Sequence, residues 1–259
     1  MTSSCVPCTL LYVWFLFLCV AVAQATPRLS ISLDGEWRIA EGRSAERIPL
    51  TFDHTVPVPG LVNLAVPAFK DVDQFISREN MARRITYKLV PEDWLQKYWV
   101  GKSDQERDYF WYRKTFRAPK ERAVALLKIN KAQFGTAVWV NGQKIGEYAG
   151  CFTASSFPIG NALSWNAENT VVIRIGAHPA MLPDTFPTGS DFEKNIWTPG
   201  IYDSVSLSFC DNPSIDSVQI APRIAASEVV VQTRVRNRSD SVVNASLSQT
   251  ITAWKRGTR

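Results

Sequence analysis

Metal-assisted or nucleophilic chemistry in this chain would have to be assembled from few side chains. Histidine occurs twice, at His54 and His178, and cysteine five times, at Cys5, Cys8, Cys19, Cys151 and Cys210. Beyond residue 25 no Cys-x-x-Cys, His-Glu-x-x-His or other close spacing of ligands is present, so the expectation is no metal and no cofactor. Both histidines read as surface or turn residues. Cys151 and Cys210 either pair, which an oxidising compartment favours, or remain two buried thiols; their wide separation selects neither. The formal charge of +5 is spread over interleaved acids and bases. Without a basic stripe carrying aromatic residues, nucleic acid is not an expected partner, and the closing Lys255-Arg256-Gly257-Thr258-Arg259 reads as a solvated end.

The elements that must position any site are mainly strands. Residues 1–25 carry no Asp, Glu, Lys or Arg, and Leu10 to Ala23 is an apolar run short of the ~20 residues of a membrane span. Ala23-Gln24-Ala25 follows as a small-x-small pattern. We therefore expect a signal peptide at 1–25, export to a periplasmic or extracellular space, and no stable membrane span after cleavage; the alternative is an uncleaved anchor. From Arg28 onward, short alternating or β-branched runs alternate with Gly, Pro, Asn and Asp. The expected strands are Glu36 to Ala40, Phe110 to Arg117, Ala123 to Ile129, Thr136 to Val140, Gln143 to Tyr148, Thr170 to Ile175 and Tyr202 to Phe209. Asn141-Gly142 tolerates two positive φ angles and predicts a type I′ hairpin, with Val138 and Val140 on one face and Trp139 on the other. The pattern is all-β, an antiparallel jelly-roll sandwich, with Trp37, Trp111 and Trp139 as core candidates. Between Asp71 and Asp108 the chain is charged and lacks alternation, and Pro91-Glu92-Asp93 resembles a helix start, so a short helical insertion is expected there. Asp211-Asn212-Pro213 marks a boundary. Beyond it Ile215 to Ala221, Glu228 to Arg236 and Val242 to Thr252 read as strands of a second unit. Residues 212–259 are about half of what an immunoglobulin-like sandwich needs.

Four stretches then bear on kinship: "LDGEWRI" at Leu33 to Ile39, "YFWYRKTF" at Tyr109 to Phe116, "AVWVNGQKIGEYAGCFTASSFPI" at Ala137 to Ile159, and "GIYDSVSL" at Gly200 to Leu207. In order and approximate spacing they resemble the amino-terminal sugar-binding domain of glycoside hydrolase family 2, which contains β-galactosidases, β-glucuronidases and β-mannosidases. The resemblance runs from Leu29 to about Phe209, and "PSIDSVQIAPRI" resembles the opening of the family's next, immunoglobulin-like domain. It implies a jelly-roll sugar-binding domain over 26–211 and an incomplete immunoglobulin-like domain over 212–259. The family's catalytic (β/α)₈ barrel would need about 250 further residues. Retaining hydrolysis requires two carboxyl groups about 5–5.5 Å apart. None of the 24 acids sits in the family's catalytic motif, so no catalytic residue is assigned and the chain is expected to be inactive alone.

What the resemblance implies for substrate contact is "GSDFEKNIWTPGIYDSVSL", Gly189 to Leu207, which in the family's β-galactosidases reaches toward the active site. Two positions before the tryptophan those enzymes can carry an acid; this chain has Asn195, with Asp191 and Glu193 upstream. Asp191, Glu193, Asn195 and Trp197 are accordingly the substrate-binding candidates. The plainer reading makes Asp191 and Glu193 solvated charges and Trp197 a plug at the sandwich edge. The expected partners are β-linked glycans or glycosides and the missing catalytic barrel of a longer, exported enzyme. A different class of function is a free-standing secreted carbohydrate-binding or scaffold module. Asn237-Arg238-Ser239 and Asn244-Ala245-Ser246 fit the glycan acceptor pattern, which matters only in a eukaryotic secretory pathway.

Overall fold

A computed structural model of the chain describes residues 27–70, 72, 84–93, 107–183, 185–187 and 198–252. The expected leader lies outside the described residues. Among those residues, no helix is long and apolar enough to cross a membrane. The strands are β1 (Leu29–Ser32), β2 (Gly35–Gly42), β3 (His54–Val58), β4 (Gly60–Leu61), β5 (Tyr109–Arg117), β6 (Val124–Ile129), β7 (Thr136–Val140), β8 (Gln143–Tyr148), β9 (Ser155–Pro158), β10 (Glu168–Gly176), β11 (Gly200–Ile201), β12 (Val205–Cys210), β13 (Ser214–Arg223) and β14 (Glu228–Arg236). A four-stranded sheet in the order β1-β12-β6-β9 faces a six-stranded sheet in the order β3-β2-β5-β10-β7-β8. Every pairing is antiparallel. The protein is thus the all-β sandwich that its alternation predicts.

The inner faces explain the packing. Leu127 and Leu207 point inward from one sheet and Trp37, Ile39, Val138, Val140 and Ile173 from the other, forming one apolar cluster. Trp37 is almost wholly buried, donates from Nε1 to Leu33 O at 2.8 Å and meets Tyr112 edge-on at 6.4 Å. Burying such a side chain contributes roughly 2–3 kcal/mol. The "LDGEW" stretch is a joint between the sheets: Asp34 Oδ1 accepts from Val205 N at 2.9 Å, and Gly35 turns the chain at φ +106.

β7 is buried along its whole length because both of its faces are covered. Val138 and Val140 enter the main core, while Ala137 and Trp139 join Trp111, Phe52 and Val172 on the outer face of the same sheet. The turn after β7 has the expected form, with Asn141 at φ 51 and Gly142 at φ 82. Asn141 also anchors it: Nδ2 donates to Asn169 Oδ1 at 2.7 Å and Oδ1 accepts from Thr170 N at 2.9 Å. Asn169 is nearly inaccessible and donates to the carbonyls of Ser164 and Ala167, both at 2.9 Å.

Four expectations need correction. Val242 to Thr252 forms no strand; it passes β14, where Gln249 Nε2 donates to Thr233 Oγ1 at 2.6 Å. Tyr202 to Ser204 precedes β12 as a turn rather than opening it, because Asp203 Oδ1 takes the Ser204 N–H at 2.7 Å. His178 is buried rather than superficial, with Nε2 facing Asp108 Oδ1 at 3.4 Å. Strands β1, β3, β4, β9 and β11 are additional to those expected, obscured by their brevity and by their prolines and serines. Of the helical insertion, residues 84–86 form a helical turn that runs into turns and bends at 87–90, Glu92 and Asp93 form a simple turn, and residues 71, 73–83 and 94–106 lie outside the described residues. Cys151 and Cys210 are two free, buried thiols, the second of the two alternatives left open.

Beyond the sandwich, β13 and β14 pair, among the described residues, only with each other. They stand where the immunoglobulin-like unit is expected.

Candidate functional site

The starts of β5 and β7 and the ends of β8 and β10 meet at one end of the six-stranded sheet, as the registers require: Tyr109 lies opposite Gly176 and Thr136 opposite Tyr148. Between them is a pocket of about 320 Å³. Tyr109, Tyr148, Glu147 and Arg174 give it its aromatic and charged wall, and Met181 and Leu182 its apolar one. Met181 ends a short 3-10 turn, Pro179–Met181, packed close against Gly176. A Cβ on Gly176 would stand 2.7 Å from Met181 Cβ and 2.9 Å from Phe134 O, so only glycine permits this closure.

The wall is electrostatically knitted. The Arg174 guanidinium lies 4.5 Å from the centre of the Tyr109 ring, donates to Ala45 O, and reaches Glu147 at 3.4 Å. Lys144 Nζ sits 2.7 Å from both Glu147 and Glu46. The hydrogen bond from Lys144, aided by the Arg174 charge, holds the Glu147 carboxyl below the usual carboxylate range. The same bonds to Glu147 and Glu46 raise Lys144 above its ordinary value. A general acid for glycoside cleavage needs the opposite shift, a raised carboxyl pKa. This carboxylate suits hydrogen-bond acceptance from hydroxyls, not proton donation.

Two further features frame the pocket. Beneath it Phe134, Cys151 and Leu182 form a small apolar cluster, and burial pushes the Cys151 thiol up. Beside it the chain passes Pro183 and comes back at Thr198, where Gln133 Nε2 donates to Thr198 O at 2.5 Å and Gln133 pairs with Gly200. Val62 N donates to Pro199 O at 2.9 Å, completing the anchor. The connection between Pro183 and Thr198 therefore begins at the pocket wall and ends against Gln133, the neighbour of Phe134 in the pocket floor. Asp191, Glu193, Asn195 and Trp197 belong to this connection and lie outside the described residues. Among the described residues, no group of three or more His, Cys, Asp or Glu is placed to hold a metal ion.

Comparison with known proteins shows what this sandwich is similar to. Residues 82–184 match the family model described as glycosyl hydrolase 2 galactose-binding domain-like. Over that stretch the chain is similar to the galactose-binding-like domain of glycoside hydrolase family 2. Solved structures agree on the fold. One is a calcium-binding mutant of Bacteroides uniformis β-glucuronidase 2, 19% identical with a TM-score of 0.55, covering 82% of this chain and 23% of that one. Another is Ruminococcus gnavus β-glucuronidase, 17% identical with a TM-score of 0.53, covering 82% and 34%. A third is a family 2 glycosyl hydrolase from Bacteroides cellulosilyticus, 16% identical with a TM-score of 0.52, covering 79% and 24%. The chain thus spans between about a quarter and a third of the length of these structures. No curated protein matches it.

Within the sandwich, the pocket residues are not evident from sequence, although Arg174 and Glu147 both fall inside expected strands. Arg174 is the available signal, the single charge in "VVIRIG" of a strand otherwise buried on both sides. Glu147 and Tyr148 follow the Asn-Gly turn, and only the register shows that they return to the mouth of β7.

Proposed function

We propose that this chain serves as the non-catalytic, amino-terminal sugar-binding part of an exported family 2 glycoside hydrolase that acts on β-linked glycosides. The observation that carries the reading is the family 2 match on a sandwich occupying only 23–34% of the family 2 structures it resembles. The pocket at the sheet end supports the assignment of a contact face, because the connection bearing Asp191, Glu193, Asn195 and Trp197 leaves and rejoins the fold beside it. In this reading these four side chains meet the sugar or line the mouth of the catalytic site, and the barrel supplies both carboxylates. Export follows from the apolar leader ending at Ala23-Gln24-Ala25.

The test combines intact mass and activity. The protein secreted by its native cell is expected to be larger than this chain by about the 250 residues of a barrel. That larger species is expected to hydrolyse a nitrophenyl β-glycoside, whereas the purified chain of 259 residues shows no turnover. Turnover by the purified chain that survives removal of trace contaminants overturns the non-catalytic reading. A secreted species matching the mass of Thr26 to Arg259, with no longer form, overturns the placement within an enzyme and favours the free-standing module.

A further inference from the structure

The outer face of the four-stranded sheet is unusual in its chemistry. The register sets Ser30 opposite Ser208, Ser32 opposite Ser206, and Ser206 opposite Lys128, which itself faces Ser156. Serine is not among the residues enriched in strands, yet here it recurs on β1, β12 and β9, on the same face as Lys128. The hydroxyls of Ser30, Ser156, Ser206 and Ser208 make no hydrogen bond among the described residues, although Ser206 and Ser208 are half-buried. Lys128 is exposed and has no carboxylate within ion-pair distance among the described residues.

One end of this face is overhung by the root of the β13–β14 hairpin, leaving a cleft of about 290 Å³. Arg28, Lys128 and Arg238 line it together with the serines, and among the described residues its single carboxylate is Asp216. That charge is already met by Arg236 at 3.1 Å and Arg238 at 3.3 Å. Arg238 is also fixed by Ser214 Oγ at 2.9 Å, and Arg28 by the carbonyl of Ile215. Cations therefore exceed acids, two of the cations are held in place, and hydroxyls with no protein partner among the described residues lie between them. Among the described residues no aromatic side chain lines the cleft, so a neutral sugar finds no ring among them to stack on.

We propose that this cleft binds an oxyanion, the carboxylate or sulfate group of an acidic saccharide, with Lys128 and Arg238 supplying charge and Ser206 and Ser208 donating hydrogen bonds. Charge-assisted hydrogen bonds from two cations and neutral donors on one rigid sheet are the physical basis. The cleft is separate from the pocket at the end of the six-stranded sheet, and its occupation needs no hydrolytic step.

The test is titration of the full chain with sodium sulfate, sodium glucuronate and glucose at constant ionic strength, followed by calorimetry and by amide shifts in NMR spectra. Saturable binding of sulfate and glucuronate, with glucose silent, is expected. Lys128→Gln, an outward-facing change, is expected to weaken both anions about tenfold, the loss of one charge-assisted hydrogen bond. Equal affinities would support recognition of the oxyanion alone. Tighter glucuronate binding that Ser206→Ala selectively weakens would support the proposal and extend it to the sugar ring. Absence of saturable anion binding, or binding that Lys128→Gln and Lys128→Glu both leave unchanged in folded protein, overturns the proposal.

Discussion

The sandwich and the β13–β14 hairpin are written in the same alternating code, and they use it to different ends. In the sandwich each apolar face meets a second layer. In the hairpin Val218, Ile220, Val229, Val231 and Val235 share one face through their register, and Gln219, Gln232, Ser217 and Arg234 share the other. Yet Ile220 remains 66% exposed and Val218 52%. Alternation specifies which side chains lie together, whereas burial requires a partner surface. The hairpin's edges are unpaired as well, a configuration that invites association.

The largest expected effect breaks this comparison at its strongest point. Trp37→Ala removes a buried indole and the donor that satisfies Leu33 O, and should cost about 3–5 kcal/mol. Ile220→Ser in the hairpin should change global stability by less than about 0.5 kcal/mol, while reducing the fluorescence of a dye that binds exposed apolar surface. Urea unfolding of both variants checks the contrast. A loss of similar size at Ile220 would mean that the hairpin's apolar face is covered in solution.

A smaller effect sharpens the role of polar joints inside the sandwich. Asn169 gathers Asn141 Nδ2 and Ser164 N on its oxygen and donates to two carbonyls. Asn169→Ala should cost about 2–4 kcal/mol in urea unfolding, because several buried groups lose their partners together. The exposed counterpart is Asn237, whose oxygen accepts from Asn212 and Ser239 beside the hairpin; Asn237→Ala should cost under about 1 kcal/mol, since water replaces the lost bonds. Next comes the β7–β8 turn. Nothing lies within 4 Å of a Cβ built on Gly142, so Gly142→Ala tests backbone strain alone at φ +82 and should cost about 1 kcal/mol.

These same residues separate what local chemistry makes legible from what only long-range pairing decides. The Asn-Gly turn, the β7–β8 strand limits and the burial of three tryptophans follow from residue type and period. The layer order does not, because it depends on which strands meet across long separations, such as β1 with β12. The short strands β4 and β11 exist only by pairing with each other. The pocket is subtler still: Tyr109, Glu147 and Arg174 come from three strands, and no spacing within the chain announces their convergence. The proposed contact residues Asp191 to Trp197 rest on family likeness, and the described anchors at Pro183 and Thr198 bracket them.

The smallest effect concerns charge at the pocket wall. Glu147 is held below the ordinary carboxylate range in the folded protein by Lys144 and Arg174. Its contribution is therefore complete above the ordinary carboxylate value and is lost as pH falls through the lower folded value. Glu147 is half exposed, so solvent and salt leave about 0.2–1 kcal/mol. Glu147→Gln should flatten that part of the acid limb of stability against pH, and ~1 M salt should flatten it in the parent protein too. The hairpin pair Arg223–Glu228, at 3.9 Å and more exposed on both sides, should contribute less. If Glu228→Gln altered the acid limb as much as Glu147→Gln, the two carboxylates would share one solvated environment. The pocket wall would then owe its order to the Arg174–Tyr109 stack rather than to its ion pairs.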